Sequence, residues 1–311
     1  MKKSLIALAV LAASGAAMAQ SSVTLYGVAD AAITKQSGSG TQMSSGTSGL
    51  PGQVSMTNGT SRLGVRGVED LGGGLKAGFN FETGLSLEDG ANSAAGGGFW
   101  GRSAHLWLGG NWGTFKMGRS LNPSFYGVSQ GWELTGAANY NVLSNTFRWA
   151  GAGPRNSSQF SYKSPSFGGF TGELAYIAKP DNGGAAKWDA NVIYANGPIS
   201  AAIAANKVTN GKTNYAFGGK YNFGSFILAA SYNARKDGVR REGFEIGGTA
   251  LFGAFSVTAD ITRDRRNDAG KKHTNVLLEG KYALSKRTFV YLAGLRLDGT
   301  NNYGLGVRHN F

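Results

Sequence analysis

There is no cysteine anywhere in the 311 residues, so neither a disulfide nor a thiolate metal site can form. Proline is also scarce, at 6 residues, and Pro51, Pro123, Pro154, Pro165, Pro180 and Pro198 all fall where the hydropathy pattern breaks. A chain that keeps proline out of its patterned stretches reads as sheet, because proline removes a ladder hydrogen bond. No apolar run of about 18 residues follows residue 20, so if the protein spans a membrane it does not do so with helices. Histidine is confined to His105, His273 and His309, which have no metal-ligand spacing, and there is no nucleophile elbow and no HExxH stretch. The glycine-rich GGGLKAG (72–78) lies in a turn between strand-like stretches with no helix after it, which argues against a phosphate cradle. These absences leave no catalytic residue, no metal and no cofactor to assign.

What is present begins with a basic start, Lys2 and Lys3, a short apolar run from Leu5 to Ala13, and Ala17-Met18-Ala19 before Gln20. That pattern is expected to be a secretory signal peptide, residues 1–19, which leaves 20–311 as the mature chain. The formal charge is +13, and losing Lys2 and Lys3 lowers it to +11. For an exported protein this points away from nucleic acid and toward small anions and anionic lipid headgroups. Glycine is abundant at 50 residues but shows no collagen period, and an aromatic content of 11% is too high for a solvated, disordered chain.

The dominant signal is a period of two. Trp188, Ala190, Val192 and Tyr194 alternate with Lys187, Asp189 and Asn191. Leu75, Ala77, Phe79 and Phe81 alternate with Lys76, Gly78, Asn80 and Glu82, and similar stretches recur at 214–222, 255–262 and 274–282. Each reads as a half-buried strand. Short connections (69–74, 109–113, 164–169, 196–198, 222–225, 252–254, 283–287) alternate with longer polar ones (34–58, 84–98, 120–156, 179–186, 207–213, 234–241, 263–272, 297–301). The count is about sixteen strands, with aromatics at both ends of many apolar faces: Phe170 and Tyr176, Trp188 and Tyr194, Phe226 and Tyr232. Rings at two heights are what the two interfaces of a membrane require. The last residues alternate to the end, with Tyr303, Leu305, Val307, His309 and Phe311 on one face. Such a strand needs a partner, and closing the sheet on the first strand (22–30) supplies one. The expected fold is all-β, a 16-stranded antiparallel transmembrane β-barrel with Phe311 at its closure.

With those residues in view, the chain resembles the general porins of beta-proteobacteria, the neisserial-type trimeric porins of the outer membrane. The resemblance rests on SSVTLYGVAD (21–30), TSRLGVRGVEDLGGGLKAGF (60–79), GTFKMGRS (113–120), SYKSPSFGGF (161–170), YALSKRT (282–288) and GVRHNF (306–311), which run from the first mature strand to the last. It implies a homotrimer in the outer membrane of a Gram-negative bacterium, surrounded by outer-membrane lipid and lipopolysaccharide. It also implies a third loop folded into the lumen, for which 120–156 is the longest candidate. By local match it puts Arg62, Arg102 and Arg155 at the narrowing, and Arg66 and Arg119 in family motifs. The connections are short for the family, and between Ser120 and Pro154 the only acid is Glu133.

Parity supports part of this assignment. Arg62 and Arg66 oppose Leu63 and Val65, so both should line the lumen. Arg102 shares the parity of Ala104, Leu106 and Leu108, so it can face inward only from a loop boundary or beyond a bulge. The expected function is a water-filled pore for passive diffusion of ions and small hydrophilic solutes, with anions preferred through the arginine cluster. The alternative from another class, a plugged barrel that binds or adheres through its loops, is disfavoured by the shortness of those loops. The small outward residues Gly27, Ala29, Ala31, Leu63, Val65 and Gly67 suit packing against another barrel, which places the expected trimer contact near both termini.

Overall fold

The computed structural model describes residues 21–46, 54–93, 98–151 and 153–311. The expected signal peptide, 1–19, lies outside the described residues. The strands are β1 (Ser22–Gln36), β2 (Thr41–Ser44), β3 (Arg62–Gly72), β4 (Leu75–Gly84), β5 (Ser103–Gly110), β6 (Gly113–Leu121), β7 (Arg155–Lys163), β8 (Phe170–Ile177) and β9 (Lys187–Asn196). They continue as β10 (Ile199–Val208), β11 (Asn214–Asn222), β12 (Phe226–Arg235), β13 (Arg241–Phe252), β14 (Phe255–Asn267), β15 (Thr274–Ala283), β16 (Thr288–Leu297) and β17 (Thr300–Asn310). Two helices, α1 (Pro123–Gly131) and α2 (Val142–Phe147), interrupt the series between β6 and β7.

Every pairing is antiparallel between chain neighbours, apart from the closure. There β1 pairs with β17 on one edge, from Val28 opposite Asn310 to Gln36 opposite Asn302, and with β3 on the other, from Ser22 to Val28. The ladder extends to the last residue of the sequence: Gly27 N–H donates to the Phe311 carbonyl at 2.9 Å, and Phe311 N–H donates to the Gly27 carbonyl at 3.1 Å. The sheet is a closed barrel of sixteen long strands. The short β2 is the addition, continuing the β3 edge of β1 opposite Ala32–Lys35. The 34–58 stretch, read from sequence as a loop, therefore carries a strand. The 297–301 stretch is also tighter than expected, a two-residue turn between β16 and β17. Asp298 and Gly299 have φ of 51° and 87°, the primed geometry that matches strand twist in hairpins.

The two faces differ in chemistry as the alternation requires. Leu25, Ile33, Leu106, Trp188, Val192, Ile203, Leu278, Leu292 and Leu305 are exposed on one face, while Asp30, Asp189, Asn191, Asn206, Thr258, Asp260 and Asn275 are buried on the other. The aromatic pairs stand at two heights. Phe170 meets Tyr194 with ring centroids 4.6 Å apart beside the tight turns, and Tyr176 meets Trp188 at 4.4 Å beside the longer connections. Part of the glycine content is spent beneath such rings. A Cβ at Gly27 would stand 2.3 Å from Phe311 Cζ, and one at Gly64 would stand 2.3 Å from Tyr26 Cζ.

The 122–154 segment packs on the polar face, α1 against β8–β11 and α2 against β12–β16. Asn122 caps α1, its side chain accepting from Phe125 N–H at 2.7 Å, and Pro123 begins the helix where a missing N–H costs nothing. Asn141 caps α2 in the same way through Ser144 N–H at 2.6 Å.

Removing β17 would leave one edge of β1 from Gly27 to Gln36 and one edge of β16 along its length without a partner, a cost of several kcal/mol for each group left in hydrocarbon. Deleting Asn302–Phe311 is therefore expected to abolish the folded, heat-modifiable form on unheated gels. A deletion variant that still migrated as a folded species would contradict the closure.

Candidate functional site

Four guanidinium groups gather around one carboxylate. Glu82, at the end of β4, accepts from Arg102 Nε at 2.7 Å and stands 3.4 Å from Arg62 Nε. Arg155 Nε donates to the Arg102 carbonyl at 2.8 Å, and Arg62 Nη1 donates to the Thr60 carbonyl at 3.1 Å. Arg308, on the polar face of β17, donates to Asn58 Oδ1 at 2.8 Å. These residues line a cavity of ≈ 370 Å³ with Phe125, Asn139 and Trp149 of the 122–154 segment. A second cavity, ≈ 590 Å³, is lined by Tyr26, Arg66, Asn80, His105 and Tyr126. The two share Glu82, Arg102, Leu121 and Arg155. Arg102 and Arg155 thus stand between two polar chambers, and Arg62 and Arg308 face the smaller one.

Arg102 resolves its own parity problem. It lies one residue ahead of β5, at the loop boundary, and its backbone N–H still donates to the Glu82 carbonyl at 3.1 Å. Arg66 is exposed on the same face as Arg62 but lines the larger chamber, with its guanidinium 5.3 Å from the centre of the Tyr26 ring. Burial pushes the Tyr126 hydroxyl up to about 12, so it faces that chamber protonated at neutral pH.

Two expected residues line neither chamber. Arg119 lies where the register of β6 against β7 shifts between Gly118 and Ser120, on the parity of Phe115 and Met117. Its guanidinium donates to the Gly101 carbonyl and, at 2.7 Å, to Ser157 Oγ, and it lines neither chamber. Glu133 is buried and also lines neither chamber. Its carboxylate accepts from Thr135 N–H at 2.8 Å, Gly136 N–H at 2.9 Å and the Thr135 hydroxyl, so it closes its own turn.

Two residues were missed as site residues, and both had a signal. Glu82 and Arg308 each occupy the polar parity of their strand: Glu82 lies beside Arg62 across the β3–β4 hairpin, and Arg308 stands opposite Asp30 of β1 once the barrel is closed. Glu133 is the one acid between Ser120 and Pro154, but the barrel wall carries acids of its own. Glu245, Asp260 and Glu279 are buried on the polar face of β13–β15, beneath the 122–154 segment rather than in the chambers. Lys220 donates to the Glu133 carbonyl at 2.9 Å, Lys281 donates to the Thr135 carbonyl, and Tyr140 donates to Glu279.

Strand side chains hold the segment in place on both sides. Ser124 N–H and Oγ both donate to Asp189 Oδ1 at 2.7 Å, Asn191 donates to the Pro123 carbonyl at 2.7 Å, and Asn206 donates to the Ala150 carbonyl at 2.9 Å. Across the barrel, Thr146 meets Thr262 at 2.9 Å and accepts from Asn275 at 3.0 Å. Asn58 donates to the Tyr140 hydroxyl at 3.0 Å. Among the described residues no group of His, Asp and Glu has the arrangement to hold a metal ion.

Residues 5–302 match the family model described as Gram-negative porin. The chain is 35% identical over 340 aligned positions to outer membrane porin protein 32 of Delftia acidovorans, covering 99% of this chain and 93% of that protein. It is 35% identical over 196 positions to the major outer membrane protein P.IB of Neisseria gonorrhoeae, covering 59% of this chain and 50% of that protein. The solved structure of an anion-selective porin from Comamonas acidovorans matches with a TM-score of 0.77 at 27% identity, over 94% of this chain and 100% of that one. The trimer form of OmpT from Vibrio cholerae matches at 0.70 and 15% identity, a likeness of fold alone.

Asp189→Ala leaves Ser124 without its acceptor in a buried site, a loss of about 1–3 kcal/mol. Amide exchange across Ser124–Gly131 is expected to accelerate by about five- to a hundredfold while the barrel strands keep their protection. Unchanged exchange in α1 would show that the aspartate does not anchor the helix.

Proposed function

The chain belongs to the Gram-negative porin family, and from that premise we propose that it is a passive-diffusion pore that prefers anions. It is an outer-membrane porin of Gram-negative type, a channel and not an enzyme. Under this reading residues 1–19 are removed on export and 20–311 form the barrel. The 120–156 connection lies across the lumen and narrows it, and ions and small hydrophilic solutes pass through the water-filled remainder.

The observation that carries the anion preference is the excess of four guanidiniums over one carboxylate around the smaller chamber. A unit charge about 6 Å from a passing ion in water contributes on the order of 0.7 kcal/mol. A net excess of three therefore amounts to about 2 kcal/mol, more than a tenfold bias before screening. Rings of arginine are a recognised route to anion selectivity. The name of the Comamonas relative points the same way. Arginine remains charged throughout the working range, so the preference should not titrate near neutral pH.

The reading includes a homotrimer. Its support is the outward face of β1 and β3–β6, where small residues open an apolar groove of ≈ 450 Å³ lined by Val23, Gly67, Ala77, Phe79, Leu106 and Met117. Ala29 and Ala31 continue the small face along β1. Close packing against another barrel needs such a face, whereas the ringed strands β8–β12 suit lipid.

In planar bilayers the wild type is expected to open in steps of three. Under a salt gradient its zero-current potential should lie on the anion side, by a margin that shrinks as salt rises. Replacing Arg62 and Arg155 together with Ala should widen conductance and lower the anion-to-cation permeability ratio, by up to about tenfold at low salt. Cation preference of the wild type at low salt would refute the arginine assignment while leaving the pore intact. Cysteines placed at Ala29 and Val65 are expected to cross-link subunits to one another. Cross-linking confined to the β8–β12 side would move the trimer contact there instead.

A further inference from the structure

The smaller chamber carries a second chemistry besides charge. The barrel wall contributes guanidiniums to it, and the 122–154 segment contributes rings. Phe125 of α1 and Trp149, two residues past α2, both line it, with ring centroids 4.5 Å apart. The backbone that carries Trp149 is unusual. Arg148, Trp149 and Ala150 have φ of 57°, 54° and 59°, three successive left-handed residues of which none is glycine. Such residues are costly, persist only where surrounding contacts fix them, and gather at functional sites. Here Arg148 N–H donates to the Ser144 carbonyl at 2.8 Å, Gly151 N–H donates to the Phe147 carbonyl at 2.8 Å, and Asn206 holds the Ala150 carbonyl at 2.9 Å. The turn leaves Arg148 exposed and sets the Trp149 ring against Phe125 at the chamber.

The guanidiniums are held in place without all being neutralised. Arg155 donates to the Arg102 carbonyl at 2.8 Å, and Arg308 donates to the side-chain oxygens of Asn58 at 2.8 Å and Asn310 at 3.2 Å, all of them neutral acceptors. Glu82 is taken by Arg102 and Arg62. A second acid, Asp30, stands opposite Arg308 on β1, fully buried, and accepts from the Tyr291 hydroxyl at 2.6 Å and from Gly59 N–H at 2.7 Å. With both acids counted against the four arginines, an excess of two positive charges remains. The chamber, at ≈ 370 Å³, is of a size that takes a small organic molecule, for which pockets of about 300–1,000 Å³ are usual.

The chemistry that fits both features is a carboxylate on a flat ring. A guanidinium takes a carboxylate through two parallel N–H bonds, and a ring gains from offset or edge contact with other rings. Chloride or a short aliphatic acid would satisfy the cations and leave the rings unused, and a neutral aromatic would do the reverse. Building on the pore reading, we infer that the smaller chamber is a binding subsite for aromatic carboxylates. Arg155 and Arg308 take the acid group, and Phe125 and Trp149 take the ring. The solutes that dwell in the pore are then chosen by the 122–154 segment as well as by the arginines.

The test is interruption of the chloride current through the full protein in planar bilayers, at fixed ionic strength, with benzoate, acetate and benzyl alcohol offered separately. In the wild type benzoate should act at a concentration at least about fivefold lower than acetate, and benzyl alcohol should act more weakly than benzoate. Trp149→Gly removes a ring and suits the left-handed backbone, and Phe125→Leu keeps apolar bulk in α1 while removing a flat face. Read in channels that conduct chloride, both should cut the benzoate-to-acetate advantage by at least about threefold. Lys286→Gln/Arg287→Gln, exposed in the 283–287 connection, should keep the wild-type ratio. Equal action of benzoate and acetate on a wild type that prefers chloride over potassium would overturn the subsite and leave the anion preference standing. An undiminished ratio in both ring variants would also overturn it, and benzyl alcohol acting as strongly as benzoate would overturn the role of the arginines. A wild type that preferred potassium over chloride would instead strike the anion reading on which the subsite rests.

Discussion

A backbone N–H or carbonyl in hydrocarbon has no water to turn to, and the whole architecture answers to that constraint. A sheet with any free edge would fail it. The first long strand is consequently shared between two partners that lie far apart in sequence, β3 and β17, and the ladder runs out to the last residue. Once the sheet is closed, its two faces must separate chemically. One faces hydrocarbon and is apolar. The other is free to be polar, and buried groups such as Asp189, Asn206 and Asn275 can hold the 122–154 segment only because that face is shielded from lipid.

The segment divides the charge of the polar face. On one side Glu82 gathers guanidiniums from β3, β7 and the approach to β5, with Arg308 close by, and these stay in contact with open space. On the other side the acids of β13–β15 are covered, and Lys220 and Lys281 reach past them to backbone carbonyls of the segment. A face that carries both signs therefore presents mostly one. The chain's overall positive charge does not produce this by itself; it depends on which groups the segment covers.

Much of this was legible from the residues. Parity alone separated Trp188 and Val192 from Asp189 and Asn191, and it placed Arg62 and Arg66 on one face, because alternation is a local property of a strand. Connections were harder. The β2 hairpin and the Asp298–Gly299 turn lie in polar stretches where turn and loop share a composition. The site was legible only in part. Arg102 needed the strand boundary, which falls between it and Ser103. Arg119 needed the bulge, and a one-residue irregularity leaves no mark on hydropathy. Arg308 and Glu82 sat on the correct face; Glu82 meets Arg62 and Arg102 across adjacent hairpins, but Arg308 meets Asn58 only through closure, 250 positions apart. Burial of the wall acids depends on where α1 and α2 lie, and no strand pattern reports that.

The glycines beneath the rings have a consequence for assembly. Alternation guards against a slip of one residue, since that would turn every apolar side chain to the wrong face. It is blind to a slip of two, which restores the faces. The rings are not blind to it. Tyr26 lies over Gly64, and a two-residue slip of β1 against β3 would set it against Arg62 or Arg66. Phe79 lies over Gly67, and the same slip of β3 against β4 would bring it to Val65 or Glu69. Phe311 lies over Gly27, flanked on that face by Leu25 and Ala29. Each ring fits a notch cut into the neighbouring strand, and the notches recur around the seam where first and last strands must find each other without a turn to align them. They act there as keys, rejecting the misalignments that hydropathy would accept.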